Sequence, residues 1–340
     1  MPGGFEDEMT TVRNRCVVTF GELLLRLDTQ GPERLVQAES FLARYTGAEA
    51  NVAVALSSLG IDTHAVSKVP AHEVGQACIN ALRRYGVNTD HIVRGGSRLG
   101  ILYVEPGAGQ RPAKVIYDRE GSAFRELRVG EIDWPEALSG KDWLHLSGTA
   151  PAAGESMIGI LVDALQAARA GGVRVSFDCN YRSTLWSLDA ARAAFTTLLP
   201  LVDVFIGSRH DARQLFGIDG DARTCAEGLR DRFGFQGVAL TERGISSAQT
   251  NVLSAYLQRG TDTYATRERT VEIVERIGGG DAFSAALIYG LLHGWALPKV
   301  AEFALAAYAL KHSIAGDFNL VTVDEVERLA SQDDAFRILR

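Results

Sequence analysis

Three glycines and an aspartate stand in the segment 277–287, IGGGDAFSAAL, whose helical spacing of apolar residues follows the aspartate. Glycines let another group approach the backbone closely, and the first N–H groups of a helix have no internal partner. Gly278, Gly279 and Gly280 are therefore candidates to bind an anion such as a phosphoryl group in transfer. Asp281 is then placed to take a proton from an attacking hydroxyl. Taken alone, these residues slightly favour a simpler hypothesis, a flexible loop and a helix-capping aspartate.

A second glycine, Gly47, precedes a predicted helix whose first turn contains Glu49 and Asn51. A glycine turn followed by an amide side chain is suited to holding a polyol through backbone and amide contacts. Glu49 has a sufficient structural explanation, because an acidic side chain complements the positive end of a helix dipole. Asn51 has less of one, since asparagine is a mediocre helix former. Gly47 and Asn51 are therefore candidate substrate contacts.

Polar side chains also follow a predicted central strand, in the segment 177–186, FDCNYRSTLW. Asp178, Asn180 and Arg182 are expected at the carboxyl end of that strand, where open α/β sheets bind ligands. The structural alternative is an Asx-type turn in which Arg182 pairs with Asp178. Three polar groups of different type at one strand end modestly favour a functional site.

The segment 100–124 predicts two strands joined by a turn rich in glycine and proline. Tyr103, Tyr117 and Arg119 are expected to share one face of this hairpin, because alternate strand residues point the same way. The planar fork of the arginine matches a carboxylate or a phosphate. Tyrosines that pack an edge strand beside a solvated arginine are an equally good hypothesis from the residues alone.

Two further segments, 206–216 and 240–248, offer polar groups whose local pattern is that of a loop and a helix cap. We favour that interpretation from the residues themselves. The residues that could instead surround a metal–phosphate group or a nucleotide are, in chain order, Ser208, Asp211, Thr241, Arg243 and Gly244.

Strand-like and helix-like segments alternate along most of the chain, from a strand at 16–20 to one at 237–240. This order predicts an α/β fold in three layers, with a mostly parallel central sheet and helices on both faces. Residues 23–45 and 95–125 interrupt the order and predict a small antiparallel sheet. Such a sheet could act as a lid over a site at the carboxyl ends of the parallel strands.

The 340 residues carry a formal net charge of −7 and are 46% hydrophobic, as is ordinary for a globular protein. An acidic total argues against nucleic acids and membranes as partners, since binding either one needs a basic face. The four cysteines match neither a zinc motif nor a disulfide framework. Without a signal-peptide core or a spanning apolar run, a cytoplasmic location is expected. Residues 1–14 predict a disordered tail ahead of one domain at 15–340.

Two of these segments together resemble the PfkB, or ribokinase-like, family of carbohydrate kinases. The stretch IGGGDAFSAALIYGLL is similar to that family's C-terminal signature, and TGAEANVAVALSSLG to its N-terminal one. The order and the spacing agree over residues 17–329. Within the family, the segments LSGTAP, GQRPAKVIYDREGSA, NYR and KHSIAGDFN most resemble those of the 2-keto-3-deoxygluconate kinases.

The resemblance implies transfer of a phosphoryl group from ATP, with Mg²⁺, to the 6-hydroxyl of 2-keto-3-deoxygluconate, with Asp281 as the catalytic base. The residues that it implies around the sugar acid are Gly47, Tyr103, Tyr117, Arg119, Arg182 and Asp317, and Asn51 joins them on the evidence of its own position. The family's Asn-x-x-Glu motif appears here as residues 208–211, so Asp211 is the implied metal-site carboxylate. The implied nucleotide contacts are Asn180, Ser208, Asp211, Thr241, Arg243, Gly244, Gly278 and Gly280. The nucleotide side departs from the family pattern more than the sugar side.

Two alternatives stay open. One is a kinase of the same family for another sugar, namely 2-keto-3-deoxygalactonate, fructose or ribose. The other is a regulatory protein that binds a sugar acid and has lost catalysis; the altered Asn-x-x-Glu motif suggests it, and the intact GGGD sequence argues against it. The exposed strand edges of the lid also predict a homo-oligomer, a dimer or larger.

Overall fold

A computed structural model of the protein describes residues 15–245 and 250–331, so the tail predicted at 1–14 lies outside the described residues. The strands are β1 (Cys16–Phe20), β2 (Leu24–Asp28), β3 (Leu42–Thr46), β4 (Asp62–Val69), β5 (Ile92–Arg94), β6 (Gly100–Glu105), β7 (Lys114–Asp118), β8 (Trp143–Ser147), β9 (Arg174–Asp178), β10 (Val204–Ser208), β11 (Gly237–Ile245), β12 (Thr250–Arg259), β13 (Asp262–Ala265) and β14 (Arg269–Glu272). The helices are α1 (Ala48–Ser58), α2 (Glu73–Arg83), α3 (Trp134–Ala137), α4 (Glu155–Ala170), α5 (Leu188–Leu198), α6 (Arg209–Phe216), α7 (Ala222–Phe233), α8 (Gly279–Leu292), α9 (Leu297–Lys311) and α10 (Val323–Ser331).

The larger sheet has the strand order β13-β12-β11-β10-β9-β8-β1-β4-β5, and β14 also pairs with β12. Every neighbouring pair from β11 to β5 is parallel. Strands of a parallel sheet that is covered on both faces are apolar throughout, and β1 is an example, since all five of its residues are buried. The strands β12, β13 and β14 extend this sheet as antiparallel neighbours, which the sequence analysis did not predict.

Successive residues of the central strands enter two different apolar clusters, because neighbouring strand side chains point to opposite faces. Val18 and Leu144 pack on one face beneath α4, α5, α6 and α7. Val17 and Trp143 pack on the other face with α1, α8, α9 and α10. The prediction of a three-layer α/β fold is therefore confirmed. None of the helices in the described ranges is long and apolar enough to cross a bilayer.

The smaller sheet, called the lid here, has the order β3-β2-β6-β7. The β2–β3 and β6–β7 pairs are antiparallel, whereas β2 and β6 run parallel. The prediction of a wholly antiparallel lid is therefore wrong for one pair. The reason is topological. The chain leaves the lid, forms β4, α2 and β5, and then returns to the lid so that β6 runs in the same direction as β2. The lid starts at Leu24, shortly after β1 ends, and so is attached at the carboxyl edge of the larger sheet.

Candidate active site

The glycine turn before α8 has a backbone conformation that suits glycine alone. Gly278 has a φ of 86°, in the left-handed region that other residues rarely adopt. A side chain at this position would also collide with the backbone carbonyl of Asp317. At Gly280, an added methyl group would meet none of the described atoms within 4 Å. A ligand therefore has room to approach the first turn of α8, where the N–H groups lack helical partners.

Asp281 lies in that first turn and joins the two glycine-led segments. Asn51, in α1, donates from Nδ2 to Asp281 Oδ2 at 2.6 Å, across 230 residues of sequence. Burial raises the pKa of Asp281 to about 8, although the hydrogen bond from Asn51 and the charge of Arg182 oppose the increase. A carboxyl group with a pKa close to neutrality is well matched to proton transfer. The starts of α1 and α8 thus form one site.

The polar residues after β9 lie at the same site. Asp178 Oδ1 accepts the N–H of Asn180 at 3.1 Å, so the predicted Asx-type turn is present. Asp178 Oδ2 accepts the hydroxyl of Ser284, in α8, at 3.3 Å. Arg182 is exposed, and its positive charge lowers the pKa of both Asp178 and Asp281 against the larger effect of burial. Arg182 is therefore a cation whose charge acts on both carboxylates.

Asp178 and Asp211 form the acidic part of the site. Burial raises the pKa of Asp178 to about 6, with a smaller contribution from the charge of Asp211, and burial also raises the pKa of Asp211. Asp211 Oδ2 accepts the N–H of Ser208 at 2.9 Å and its hydroxyl at 2.6 Å. Ser208 in turn accepts the N–H of Asp211, which completes a capping box at the start of α6. The helix-cap interpretation of this segment is confirmed. The sequence analysis placed Asp178 at the strand end but not beside a metal. In the structure, the charge of Asp211 influences Asp178, so the two are considered together as acidic groups of the site.

Thr241, Arg243 and Gly244 lie on strand β11 and not in a loop. This strand pairs with β12 over its whole length, whereas its pairing with β10 ends at Thr241. The predicted loop conformation is therefore wrong. The hydroxyl of Thr241 donates to the carbonyl of Gly207 at 3.3 Å, and Arg243 and Gly244 are exposed. Their contact with a nucleotide stays a prediction.

Gly47 and Asp317 are both packed closely against other parts of the protein. Gly47 precedes α1 with a φ of 157°, and a side chain there would collide with the carbonyl of Glu22. The carboxylate of Asp317 is buried and is bonded to Arg26 of β2 and to the hydroxyl of Thr46. Arg26 and Thr46 thus fix the orientation of the Asp317 carboxylate, whose oxygens can each accept a further donor. The predicted contact between Asp317 and the sugar stays a prediction.

Tyr103 and Tyr117 lie on opposite faces of the lid. The β6–β7 register places Tyr117 opposite Leu102 and Tyr103 opposite Ile116, and directly opposite residues share a face. The prediction that Tyr103, Tyr117 and Arg119 share one face is therefore wrong for Tyr103. Leu102 is buried, which marks the face of Tyr117 as the inner one, whereas Tyr103 and Ile116 are on the outer one. Strand alternation cannot reveal such a register, because a slip of one residue exchanges the two faces.

Arg119 is buried in an ion pair with Glu22, a residue that the sequence analysis missed. The hydroxyl of Ser122 donates to the other Glu22 oxygen at 2.6 Å, so both oxygens have partners. The signal for Glu22 was a charged residue almost directly after the apolar strand β1, at the carboxyl edge of the sheet. A contact between Arg119 and a sugar acid stays a prediction, and Glu22 fixes the orientation of the guanidinium that would make it.

Residues 14–318 match the family model of the pfkB family carbohydrate kinases. The chain is a PfkB-family carbohydrate kinase. The kinase is 36% identical to a 2-dehydro-3-deoxygalactonokinase from Haloferax volcanii, over 94% of this chain and 98% of the relative. It is 26% identical to a 5-dehydro-2-deoxygluconokinase from Geobacillus kaustophilus, over 93% of both chains. The names with "2-dehydro" and "2-keto" denote the same compounds.

Solved structures agree with this membership. The kinase is 41% identical to a 2-dehydro-3-deoxygluconokinase from Thermotoga maritima, with a TM-score of 0.91 over 94% of this chain and 98% of that one. A putative ribokinase II from E. coli, crystallised with ATP and Mg²⁺, shares the fold at 21% identity, with a TM-score of 0.82 over 94% of this chain and 99% of that one. The family that the two signatures indicated is thus confirmed.

Proposed function

We propose that this kinase phosphorylates the 6-hydroxyl of 2-keto-3-deoxygluconate with ATP and Mg²⁺. The observation that supports a working site most is the hydrogen bond from Asn51 to Asp281, because it holds a proton acceptor beside the glycine turn. The sugar acid is suggested by the name of the Thermotoga maritima relative, at 41% identity over nearly the whole chain. The donor is suggested by the ATP and Mg²⁺ of the E. coli protein with the same fold.

In the proposed reaction, Asp281 accepts the proton of the 6-hydroxyl while that oxygen forms a bond to the γ-phosphorus of ATP. The bond from this phosphorus to the β–γ bridging oxygen breaks, and ADP leaves. The N–H groups of Gly278, Gly279 and Gly280 donate to the phosphoryl oxygens, and Arg182 adds positive charge. Catalysis of this kind depends mostly on positioning and on stabilisation of charge.

The carboxylates of Asp178 and Asp211 fit a divalent cation. Their oxygens are hard donors of the type that Mg²⁺ prefers. Burial raises the pKa of both groups, and the charge of Asp211 adds to the effect on Asp178. A bound cation would lower both pKa values, because a nearby positive charge favours the ionised form. When bound, Mg²⁺ neutralises charge on the phosphates of the nucleotide. Asn180, Ser208, Thr241, Arg243 and Gly244 are the further residues proposed around that nucleotide.

The Asp211→Ala variant tests the metal site. Loss of the capping box is expected to cost about 1 kcal/mol of stability, and loss of the carboxylate to raise the Mg²⁺ concentration that gives half-maximal activity. The matched control is Glu325→Ala, since Glu325 completes the same kind of capping box at the start of α10 by accepting the N–H and the hydroxyl of Thr322. Both variants should lower the melting temperature to a similar degree. An unchanged Mg²⁺ requirement in Asp211→Ala would reject its metal role.

A substrate panel with coupled detection of ADP tests the sugar. We expect 2-keto-3-deoxygluconate to have the highest kcat/KM, and mass and NMR spectra to show one phosphate on the 6-oxygen. The galactonate epimer is the second candidate, because the Haloferax volcanii relative carries that name at 36% identity. A higher kcat/KM for that epimer would make it the substrate. Faster turnover of fructose or ribose would reject a sugar acid altogether, and no ATP-dependent product would favour the regulatory alternative.

We also propose that two copies associate through the outer face of the lid. The strands β3 and β7 are its edges, and exposed edges can pair with another chain. The outer face is apolar and partly exposed: Phe41 is 38% and Ile116 is 41% exposed, and the rings of Phe41 and Tyr103 are in contact. Such a patch on a lid favours association with another protein surface.

The Ile116→Lys variant is expected to sediment as a monomer at micromolar concentration, whereas the unmodified kinase sediments as a dimer or larger. The added charge would have to be buried at the interface, which is costly. The control is Val129→Lys, another exposed apolar residue (60% exposed) outside the lid. A monomeric unmodified kinase would contradict this proposal.

A cytoplasmic location is proposed as well. The cysteines Cys16, Cys78, Cys179 and Cys225 are all free and buried, and unpaired thiols are typical of reducing compartments. The proposed partners are the small sugar acid and a second copy of the chain, without nucleic acid or membrane.

A further inference from the structure

Arg26 is a lid residue that is buried among carboxylates. It lies in the middle of β2, and its side chain is 2% exposed. The Nε donates to Asp28 at 2.7 Å, one Nη donates to Glu275 at 2.7 Å, and the other Nη bonds to Asp317. Removing this cation would leave the buried carboxylates without a compensating charge. Two of these carboxylates, Glu275 and Asp317, are far from Arg26 in the sequence.

Glu275 and Asp317 both support the glycine turn. Glu275 Oε1 accepts the N–H of Ile277 at 3.1 Å, directly before Gly278. The backbone carbonyl of Asp317 lies against Gly278 so closely that a Cβ on this glycine would collide with it. The two segments also bond to each other, since the N–H of Val274 donates to the carbonyl of His312 at 2.8 Å. They form one support behind the turn.

The same network reaches the second glycine. The hydroxyl of Thr46, the residue before Gly47, contacts Asp317 and lies 3.2 Å from the side-chain oxygen of Asn51. One hydroxyl hydrogen serves only one acceptor at a time, and the charged Asp317 is the stronger acceptor. Thr46 is therefore held by Asp317, and Arg26 holds Asp317. The lid strand β2 is thus tied to both glycine-led starts of the site.

We propose that Arg26 is a positioning residue that couples the seating of the lid to the geometry of the phosphoryl-binding turn. Arg26 touches neither the sugar nor the nucleotide in this proposal, which rests on the proposed role of Gly278, Gly279 and Gly280. When β2 is seated, its guanidinium fixes Glu275 and Asp317, and these fix the turn. The planar guanidinium directs separate N–H groups at three carboxylates, and the compact ammonium of lysine does not reproduce that spacing.

The test compares Arg26→Lys and Glu275→Gln with the control Arg111→Met. Arg111 is also a lid arginine with a buried carboxylate partner, Glu105, but it lies at the hairpin tip, away from the turn. We expect Arg26→Lys to lower kcat by about 100-fold, the effect of a displacement of roughly 1 Å. The KM for ATP should change less than about threefold, and Arg111→Met should retain kcat. A purely structural role would instead lower the melting temperature without this separation of kcat from KM.

A double-mutant cycle closes the test. If Arg26 acts through Glu275, the variant with both Arg26→Lys and Glu275→Gln loses no more kcat than Arg26→Lys alone, because neighbours in one network are not additive. Multiplied losses, or a retained kcat in Arg26→Lys, would overturn the proposal. Glu275→Gln leaves the arginine in place and keeps the test valid should Arg26→Lys fold poorly. All assays use the sugar that the unmodified kinase turns over fastest, so a wrong substrate assignment is detected separately.

Discussion

The Asp281→Asn variant is expected to lose about 10³-fold in kcat and to melt at a higher temperature than the unmodified kinase. The rate falls because an amide cannot accept the proton of the sugar hydroxyl, and a positioned base contributes roughly 10²–10⁴-fold. The stability rises because burial, the largest influence, raises the pKa of Asp281 to about 8, which means that its ionised form is costly in the folded state. Enzyme assays and thermal unfolding on the same preparations check both results.

The pH dependence of Asp281 follows from the direction of this pKa shift. Between the ordinary pKa of 3.8 and about 8, the folded protein binds the proton and the unfolded chain has released it. Stability therefore falls as the pH rises through this range, and the gain in melting temperature for Asp281→Asn should be larger at pH 8 than at pH 5. The kcat/KM of the unmodified kinase should rise with pH and level off above about 8, where Asp281 is ionised.

Asp163→Asn is the control, because Asp163 is an exposed residue of α4 and its replacement makes the same change in net charge. It should alter neither the rate nor the pH profile. Near-normal turnover in Asp281→Asn would show that another group removes the proton. An unchanged melting temperature at pH 8 would show that Asn51 and Arg182 compensate for the burial of the charge.

The Arg182→Ala variant is the second large effect, with kcat expected to fall by about 10²–10³-fold, as for loss of one donor to developing charge. Arg182 is exposed, and its charge acts on both Asp178 and Asp281. Its charge lowers the pKa of Asp281 against the larger effect of burial, so its removal should also move the rising limb of the kcat/KM profile to higher pH. A pH–rate series in saturating Mg²⁺ measures both changes.

The control for this variant is Arg213→Ala, which removes another exposed arginine, on α6, from a pair with Asp219. A loss confined to the KM of the sugar acid would assign Arg182 to the carboxylate of the substrate. A profile that stays in place while kcat falls would mean that Arg182 acts on the phosphoryl group without influencing Asp281.

The short-range features of the site could be predicted from the sequence, because neighbouring residues determine them. The left-handed turn at Gly278 and the cap formed by Ser208 and Asp211 depend on a few consecutive residues. Hydrophobic periodicity likewise predicted most helices and central strands. It did not predict β12, β13 and β14, although alternation does mark β12, where the buried residues Leu253, Ala255 and Leu257 alternate with less buried ones.

The features of the site that the sequence did not predict depend on pairs of residues that lie apart in the chain. Arg119 was identified as a cation, but only the fold places Glu22 against it. Asp317 was identified as a polar residue near the sugar, but only the fold pairs it with Arg26, 291 residues away. Tyr103 was expected beside Tyr117, and the β6–β7 register separates them. Charges and registers of this kind are set by contacts that no local pattern contains.

Local patterns of residues were enough to establish the α/β architecture, the family and the candidacy of Asp281 as the base, since glycine turns and helix starts depend on near neighbours. The folded chain was needed to show that Asn51 bonds to that aspartate and that burial raises its pKa to about 8. This difference arises because the free energy of binding a proton to a carboxylate depends on the dielectric and the charges around that group. Those surroundings come from α1, β9 and α8, which meet only when the sheet has formed.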